Sequence, residues 1–376
     1  MTIKVLHLIS GGDKGGAKTH IYTLMEGLKN KVDAKIVCFI DDTFYEEAKS
    51  RGIDIEVFPQ NGRADMSVVD RLAKLINSEN YDIVHSHGAR ANSISSFLKR
   101  RVNVPFITTM HSDYLLDFKG SFYKNLIYTP INKFSLKKFD YYIAITENFK
   151  KTLVERGFPE DRIYVLYNGI DMSPEDDIIP KDEFLMRNGV VADGKFLVGH
   201  VARQDPVKNV EMTIKAANIV LQNRQDVMFL LAGEGSETER LKELVNSLNI
   251  SDNVKFLGFV KENMSFFNAI DLNLLTSESE SFPYAILESS KMRVPTIATA
   301  VGGIPEMIRY GEDGLLVRDK DYTDLSQKIL YLMEDRDLLK KMGDKAYNRV
   351  LENFSMEAMA NRQVEIYKMI LGDKNV

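Results

Sequence analysis

The sequence predicts an α/β protein made of two parallel-sheet domains in series. Three observations carry that expectation. Short apolar runs alternate with amphipathic stretches over residues 1–170. An acidic segment with two prolines, Met172 to Pro180, breaks the pattern. A second alternation starts at Phe196 and gives way to a helical tail. Alternating strand and helix signals imply a parallel sheet covered by helices, and 376 residues exceed one ordinary core.

In order, the strand-like runs of the first half are Lys4–Ile9, Ala34–Phe39, Ile53–Phe58, Ile83–His85, Phe106–Met110, Tyr141–Ile145 and Ile163–Leu166. Val68–Asn77 and Glu147–Glu155 are among the amphipathic stretches between them. The pattern stops at Asn168-Gly-Ile-Asp171. The second set is Phe196–Val201, Val227–Ala232, Val254–Phe256, Leu272–Leu275, Thr296–Ala298 and Gly314–Val317, followed by helical periodicity from about Leu325 to Leu371. The expected division is a first domain over 1–170, a linker over 171–190, a second domain over 191–355 and a C-terminal helix over 356–376 that crosses back. A cleft between two such domains is a default ligand site.

Composition narrows the function classes. The chain is 44% hydrophobic and 27% charged, as globular proteins are. The lone cysteine, Cys38, sits in a strand-like run and reads as a small core residue, which suits a reducing compartment. Signal-peptide anatomy is missing from the N-terminal run, and no apolar run nears the ~20 residues of a membrane span. The expected location is therefore cytoplasmic. Residues 1–170 carry 24 Lys and Arg against 20 Asp and Glu; the remainder carries 25 against 34. A mildly basic half joined to an acidic one bears on partners rather than fold, and nucleic acid is not among those expected.

The chemistry concentrates at strand ends. Leu272–Leu275 reads as a buried strand, and Thr276 to Glu288 follows it. Pro283 suits the first turn of a helix, so Glu280 falls in the loop and Glu288 within the first two helical turns. In open α/β sheets ligands bind at the carboxyl ends of strands. Two carboxylates there can accept hydrogen bonds from a polyol, although on spacing alone they could merely favour the helix dipole. Val198-Gly-His-Val-Ala-Arg203-Gln-Asp-Pro-Val-Lys208-Asn places two cations at a second strand-to-helix turn, where they suit a diphosphate. A solvated pair of charges is the plain alternative, but a Lys at a helix start opposes the dipole and favours an anion.

Ser10 to His20 carries four glycines between a strand and a helix, which suggests an anion near the backbone. It is one residue out of register for a nucleotide-triphosphate P-loop, because Ala17 precedes Lys18-Thr19. His85-Ser-His87 and Met110-His111 also end strands. No acidic or Cys ligand stands near them in sequence, so zinc is set aside. His111 reads as a ligand or proton contact, and His85 equally well as a structural histidine. Ala232-Gly-Glu-Gly235 alone is a weak signal, and Ala300 to Glu306 is a further Gly-rich turn. Asp319-Lys-Asp321 has a metal-binding form but reads as an ordinary helix start.

Taken together, the chain resembles the retaining glycosyltransferases of family 4, which have the GT-B fold of two Rossmann-like domains facing each other across a cleft. The resemblance spans essentially the whole chain. Its most specific part is Glu280 to Glu288, which matches the family's Glu-x7-Glu motif, followed by Val294-Pro-Thr-Ile-Ala and Gly302-Gly-Ile-Pro-Glu306. Arg203 and Lys208 match the donor-phosphate cations. One departure stands out: Pro283 follows Phe282 where the family usually has Gly.

The resemblance implies a donor-binding C-terminal domain, an acceptor-binding N-terminal domain and C-terminal helices packing back toward the latter. Glu280 would contact hydroxyls of the transferred sugar, together with the backbone around Phe282 and Pro283, and Glu288 the ribose. Arg203 and Lys208 would neutralise the leaving diphosphate, so neither a metal nor another cofactor is implied. Gly12 and Gly16 would meet the phosphates, Asn168 belongs to the matching motif, His111 would touch the sugar, and the backbone at Phe259-Val260 would read the base. The expected function is retaining, metal-independent transfer of a hexose or N-acetylhexosamine from a nucleotide-sugar, UDP-linked, to a hydroxyl of a glycan or lipid-linked acceptor in cell-surface glycan or polysaccharide biosynthesis. A nucleotide-sugar epimerase on the same fold and a non-catalytic sugar-nucleotide sensor are the alternatives. Between Asp113 and Tyr142, aromatics and lysines interleave, with Lys99-Arg100-Arg101 before them. That pattern suits peripheral contact with an anionic membrane, or simply a packed helix with a solvated basic face.

Overall fold

The computed structural model describes residues 2–12, 15–60, 62, 65–111 and 130–372. These divide into two compact units, one of residues up to Asp171 plus those from Met356, the other Met172–Ser355.

The first unit contains β1 (Lys4–Ile9), α1 (Gly16–Leu28), β2 (Asp33–Cys38), α2 (Thr43–Ser50), β3 (Ile55–Val57), α3 (Ser67–Glu79), β4 (Ile83–His87), α4 (Gly88–Leu98) and β5 (Phe106–Met110). After these come α5, described over 130–136, then β6 (Tyr141–Ala144), α6 (Glu147–Glu155) and β7 (Ile163–Val165). The described strands pair in parallel in the order β3-β2-β1-β4-β5-β6-β7. β4 and β5 are buried along their whole length, as strands covered on both faces must be. Local chemistry sets several helix starts. At α6 the Thr146 hydroxyl accepts from the Phe149 N–H at 3.0 Å, a cap worth about 1 kcal/mol.

The second unit contains α7 (Lys181–Arg187), β8 (Phe196–Val201), α8 (Val210–Asn223), β9 (Val227–Ala232), α9 (Thr238–Ser247), β10 (Val254–Gly258), α10 (Asn263–Ala269), β11 (Leu272–Leu275) and α11 (Tyr284–Lys291). β12 (Thr296–Thr299), α12 (Ile304–Met307), β13 (Gly314–Val317), α13 (Tyr322–Glu334) and α14 (Arg336–Asn353) complete it. Its parallel sheet runs β10-β9-β8-β11-β12-β13. α7 lies where a linker over 171–190 was expected. The difference is physical: Phe184 and Leu185 are buried in the core with Phe266 and Val190, so this short helix is part of the domain.

The tail resolves into α13, α14 and α15 (Met356–Gly372). α15 returns to the first unit, where the Met356 N–H donates to the Ile170 carbonyl at 2.8 Å. Its Met359, Ala360, Ile366, Tyr367 and Ile370 are buried with Leu24 and Leu28 of α1. Gly27 permits that approach, since a Cβ there would stand 2.9 Å from Ala360 Cβ.

Both sheets reverse strand order once. The reversal lies between β1 and β4 in the first unit, and between β8 and β11 in the second. The crevice beyond the carboxyl ends of such strands is where open α/β sheets bind ligands.

Candidate active site

In the second unit the segments that follow β8 and β11 meet at the reversal point. Lys208 closes a 3-10 turn, and Asn209, in the left-handed conformation at φ 46°, starts α8. The Lys208 ammonium donates to Glu280 Oε1 at 2.5 Å, and the Ser277 hydroxyl donates to the same oxygen at 2.7 Å. Backbone bonds fix the two segments to one another. Glu278 N–H donates to the Val207 carbonyl at 2.8 Å, and Thr276 Oγ1 donates to the Asn209 carbonyl at 2.9 Å.

Two glycine turns shape this site, one of them a weak signal in sequence and the other part of the Gly302–Glu306 match. Gly302 adopts φ +56°, and a Cβ there would fall 1.7 Å from the Glu280 carbonyl oxygen, so only glycine fits. Gly233, at φ +117°, likewise lies so close to Ala202 that a Cβ would come within 2.0 Å of its carbonyl oxygen. The first turn seats Glu280; the second seats the Arg203 loop. Arg203 itself is 76% exposed and ion-paired with Asp205 at 2.9 Å.

Glu288 lies on α11 with separate partners. Asn263 hydrogen-bonds its carboxyl group. Burial pushes that carboxyl pKa upward, and the negative charge of Glu175 adds to the shift. Tyr284, one turn earlier, has a buried hydroxyl without a partner among the described residues. Pro283 sits at the N-cap of α11, one position before the expected first turn. Phe282 does not offer its ring to a ligand: it is 4% exposed and packs edge-on against Phe354, with centroids 5.3 Å apart. Val260 is also a core residue, whereas the adjacent Phe259 is exposed. The side chains of Phe282 and Val260 therefore pack in the core, and the contact expected at these positions is one of the backbone. Asp321 caps α13, accepting from the Asp324 N–H at 3.0 Å, as its position led us to expect.

In the first unit the loop after β1 has its left-handed glycines at Gly11 (φ 99°) and Gly15 (φ 68°). Gly12 lies in more open space and Gly16 opens α1. Asp13 and Lys14 lie outside the described residues. Lys18, the residue that suggested a P-loop, is held by Glu47 at 2.6 Å. Asn168 is buried, and its Oδ1 accepts from His20 Nδ1 at 2.8 Å. His111 follows β5 and lies edge-on to His20, with ring centroids 4.6 Å apart. His85 bonds the Tyr367 hydroxyl and Thr109 Oγ1, each at 2.7 Å, which is a structural arrangement. Burial holds His7 at a pKa of about 3 and His20 at about 4, and keeps His85, His87 and His111 well below the ordinary range. Of this five-histidine cluster the sequence singled out His85, His87 and His111 but not His7 and His20, because its members come from β1, α1, β4 and the end of β5. Most of the aromatic and basic stretch from Asp113 lies outside the described residues.

Comparison with known proteins matches residues 14–173 to the model of Glycosyltransferase Family 4, and residues 181–349 to that of Glycosyl transferases group 1. The chain is 31% identical to N-acetyl-alpha-D-glucosaminyl L-malate synthase of Bacillus anthracis, over 82% of this chain and 80% of that protein. It is 23% identical to the UDP-Gal:alpha-D-GlcNAc-diphosphoundecaprenol alpha-1,3-galactosyltransferase of Escherichia coli, over 81% and 79% respectively. In structure it is similar to Anabaena Alr3699/HepE in complex with UDP, with a TM-score of 0.81, 22% identity and coverage of 98% of this chain and 100% of that one. The sheet orders and these matches agree, and the chain belongs to family 4 of the glycosyltransferases, with the GT-B fold.

Proposed function

We propose that this glycosyltransferase moves a hexose or N-acetylhexosamine from a UDP-linked donor to a hydroxyl acceptor with retention at the anomeric carbon and without a catalytic metal. One observation carries the reading most: a cation from the β8 loop and a carboxylate from the β11 loop meet at the reversal point of the second sheet. The UDP-bound Anabaena neighbour and the UDP-Gal-using relative support the nucleotide.

Each residue then has a role. Lys208 and Arg203 neutralise the diphosphate as it leaves, the task a metal ion performs in other transferases. Arg203 exchanges Asp205 for phosphate oxygens. The Glu280 carboxyl group accepts from sugar hydroxyls and that of Glu288 from the ribose. His111 contacts the sugar, and the backbone of the Gly11–Gly16 loop contacts phosphate. Glu280 Oε1 already accepts from Lys208 and Ser277, which suits an orienting acceptor better than a nucleophile. The step is a same-face substitution: the bond from sugar C1 to the diphosphate oxygen breaks, the acceptor oxygen bonds C1, and its proton passes to the leaving phosphate.

A screen of nucleotide-sugars read by free nucleotide tests this reading. Slow UDP release from one donor, stoichiometric with product once acceptor is added, is expected, and it survives excess EDTA. Isomerised nucleotide-sugar without free UDP would favour an epimerase, and binding without turnover a sensor. Loss in EDTA restored by Mn²⁺ or Mg²⁺ would overturn metal independence.

For the acceptor, the reading is a glycan or lipid-linked hydroxyl in cell-surface glycan or polysaccharide synthesis, reached at an anionic membrane surface. The Escherichia coli relative acts, by its name, on a diphosphoundecaprenol-linked sugar. α5 exposes Ile131 and Phe134, and Phe97 on α4 is exposed as well. Lys138 lies over the Phe134 ring at 4.9 Å, so a cation borders the apolar residues, while Lys99, which donates to the Lys138 carbonyl at 2.8 Å, is ion-paired with Asp140. No described helix is long and apolar enough to cross a membrane. Co-sedimentation with anionic vesicles at low salt, lost at high salt, is expected. Protein that stays in the supernatant at low salt would point to a soluble acceptor.

A further inference from the structure

The chain has six histidines, and five of them lie in the first unit's cluster. Three of the five each keep one buried ring nitrogen without a partner among the described residues: His20 Nε2, His87 Nδ1 and His111 Nε2. One ring nitrogen from each of these three lies within 4.8 Å of the others. We propose that His20, His87 and His111 form a site for one divalent transition-metal cation of the Zn²⁺ and Co²⁺ class, and that its occupancy stops the enzyme by taking His111 away from the sugar.

Hydrogen bonding decides what two of the three nitrogens offer. Asn168 Oδ1 can only accept, so His20 Nδ1 carries the proton and Nε2 presents a bare lone pair. His87 is set by a relay. Its Nε2 meets His7 Nδ1 at 3.0 Å, His7 Nε2 meets the Tyr367 hydroxyl at 3.3 Å, and that hydroxyl meets His85 Nδ1 at 2.7 Å. The single Tyr367 proton allows two polarities. When it goes to His85, His85 donates to Thr109, His7 donates to Tyr367 and His87 donates to His7, which leaves His87 Nδ1 as a lone pair. A bound cation selects that polarity. Three imidazoles with one nitrogen each brought together, the outer nitrogen of His20 held by an amide and that of His87 by a hydrogen-bonded relay, form the kind of site that a nitrogen-preferring metal uses. A set of three with an open position fits Zn²⁺ or Co²⁺, whereas Mg²⁺ requires oxygen ligands. A neutral water or hydroxyl has at most two protons for three lone pairs, so a cation satisfies the set more fully.

Metal binding stands on this geometry alone. The inhibitory half also rests on the sugar contact assigned to His111. The test is equilibrium dialysis of the full chain against CoCl₂, with MgCl₂ as a control, read by bound metal and by visible absorption of imidazole-ligated Co²⁺. One Co²⁺ per chain with that absorption is expected. Binding falls at least tenfold in His20→Gln and in His87→Gln, and is unchanged in His200→Gln, whose unpartnered Nε2 lies alone in the second unit. No Co²⁺ uptake above the Mg²⁺ control by the unaltered protein would overturn the site without relying on any variant. So would folded His20→Gln and His87→Gln proteins that bind as the parent does. In the activity arm, Zn²⁺ should suppress UDP release by the parent, and the residual activity of His20→Gln should no longer respond. Full activity with metal bound would overturn the inhibitory half and the role of His111, while leaving the site in place.

Discussion

Arg203→Ala is expected to lower turnover roughly 10²–10³-fold, because on the proposed reading it removes a charge that neutralises the leaving diphosphate. It is the cleaner of two variants. Its side chain is 76% exposed and its partner, Asp205, has solvent at hand, so the fold should tolerate the loss. Lys208→Ala should lower turnover by a similar factor, but with a second effect. Lys208 and Glu280 are only 22% and 10% exposed at their side chains, and losing the cation strands a largely buried carboxylate. The double variant Lys208→Ala/Glu280→Gln removes both charges and separates the two effects: stability returns while turnover stays low. Measuring kcat for UDP release beside thermal unfolding decides it. Near-normal turnover in both single variants would remove the leaving-group role.

Glu288 should show opposite effects on binding and stability. Its carboxyl is held above the ordinary carboxylate pKa by burial, despite the Asn263 hydrogen bond that acts the other way. The folded state therefore binds its proton more tightly than the unfolded state. Between the unfolded pKa of about 4.5 and the raised folded value, stability falls as pH rises. Above the folded value the penalty is fully present. Glu288→Gln removes it, so the variant should melt at a higher temperature than the parent at pH 7.5, with the advantage vanishing near pH 4.5. Nucleotide binding should move the other way. Lost hydrogen bonds to a charged acceptor typically weaken binding by about 1.5–3 kcal/mol, roughly 10- to 100-fold. Glu288→Ala should then weaken UDP binding in calorimetry more than Glu280→Ala, since UDP has a ribose but no transferred sugar. Equal losses would undo that division of labour, and a Gln variant less stable at neutral pH would contradict the burial argument.

What was legible in the sequence is what is local in it. Strand runs such as Leu272–Leu275, and the placement of Glu280 and Glu288 around Pro283, follow from periodicity and turn chemistry within a dozen residues. Contacts across long separations were not legible. The Lys208–Glu280 pair spans 72 positions, and Phe282 is buried because Phe354, far along the chain, covers it. Backbone conformation was equally hidden. A run of glycines does not say which members carry positive φ, and these are Gly11 and Gly15 rather than Gly12 and Gly16. α7 was read as linker because its apolar pair, Phe184 and Leu185, is too short to show a period. The histidine cluster depends on parallel register, which sets His7 opposite His85 and Ile9 opposite His87.

The central claim is that a nucleoside diphosphate sits at the reversal point of the second sheet, between the β8 and β11 loops. Hydrogen–deuterium exchange with and without UDP measures this by location. Slowed exchange over residues 202–210 and 276–290 is the expected result, with no change over 130–136. UDP binding that leaves both of those segments exchanging at their free rates would contradict it.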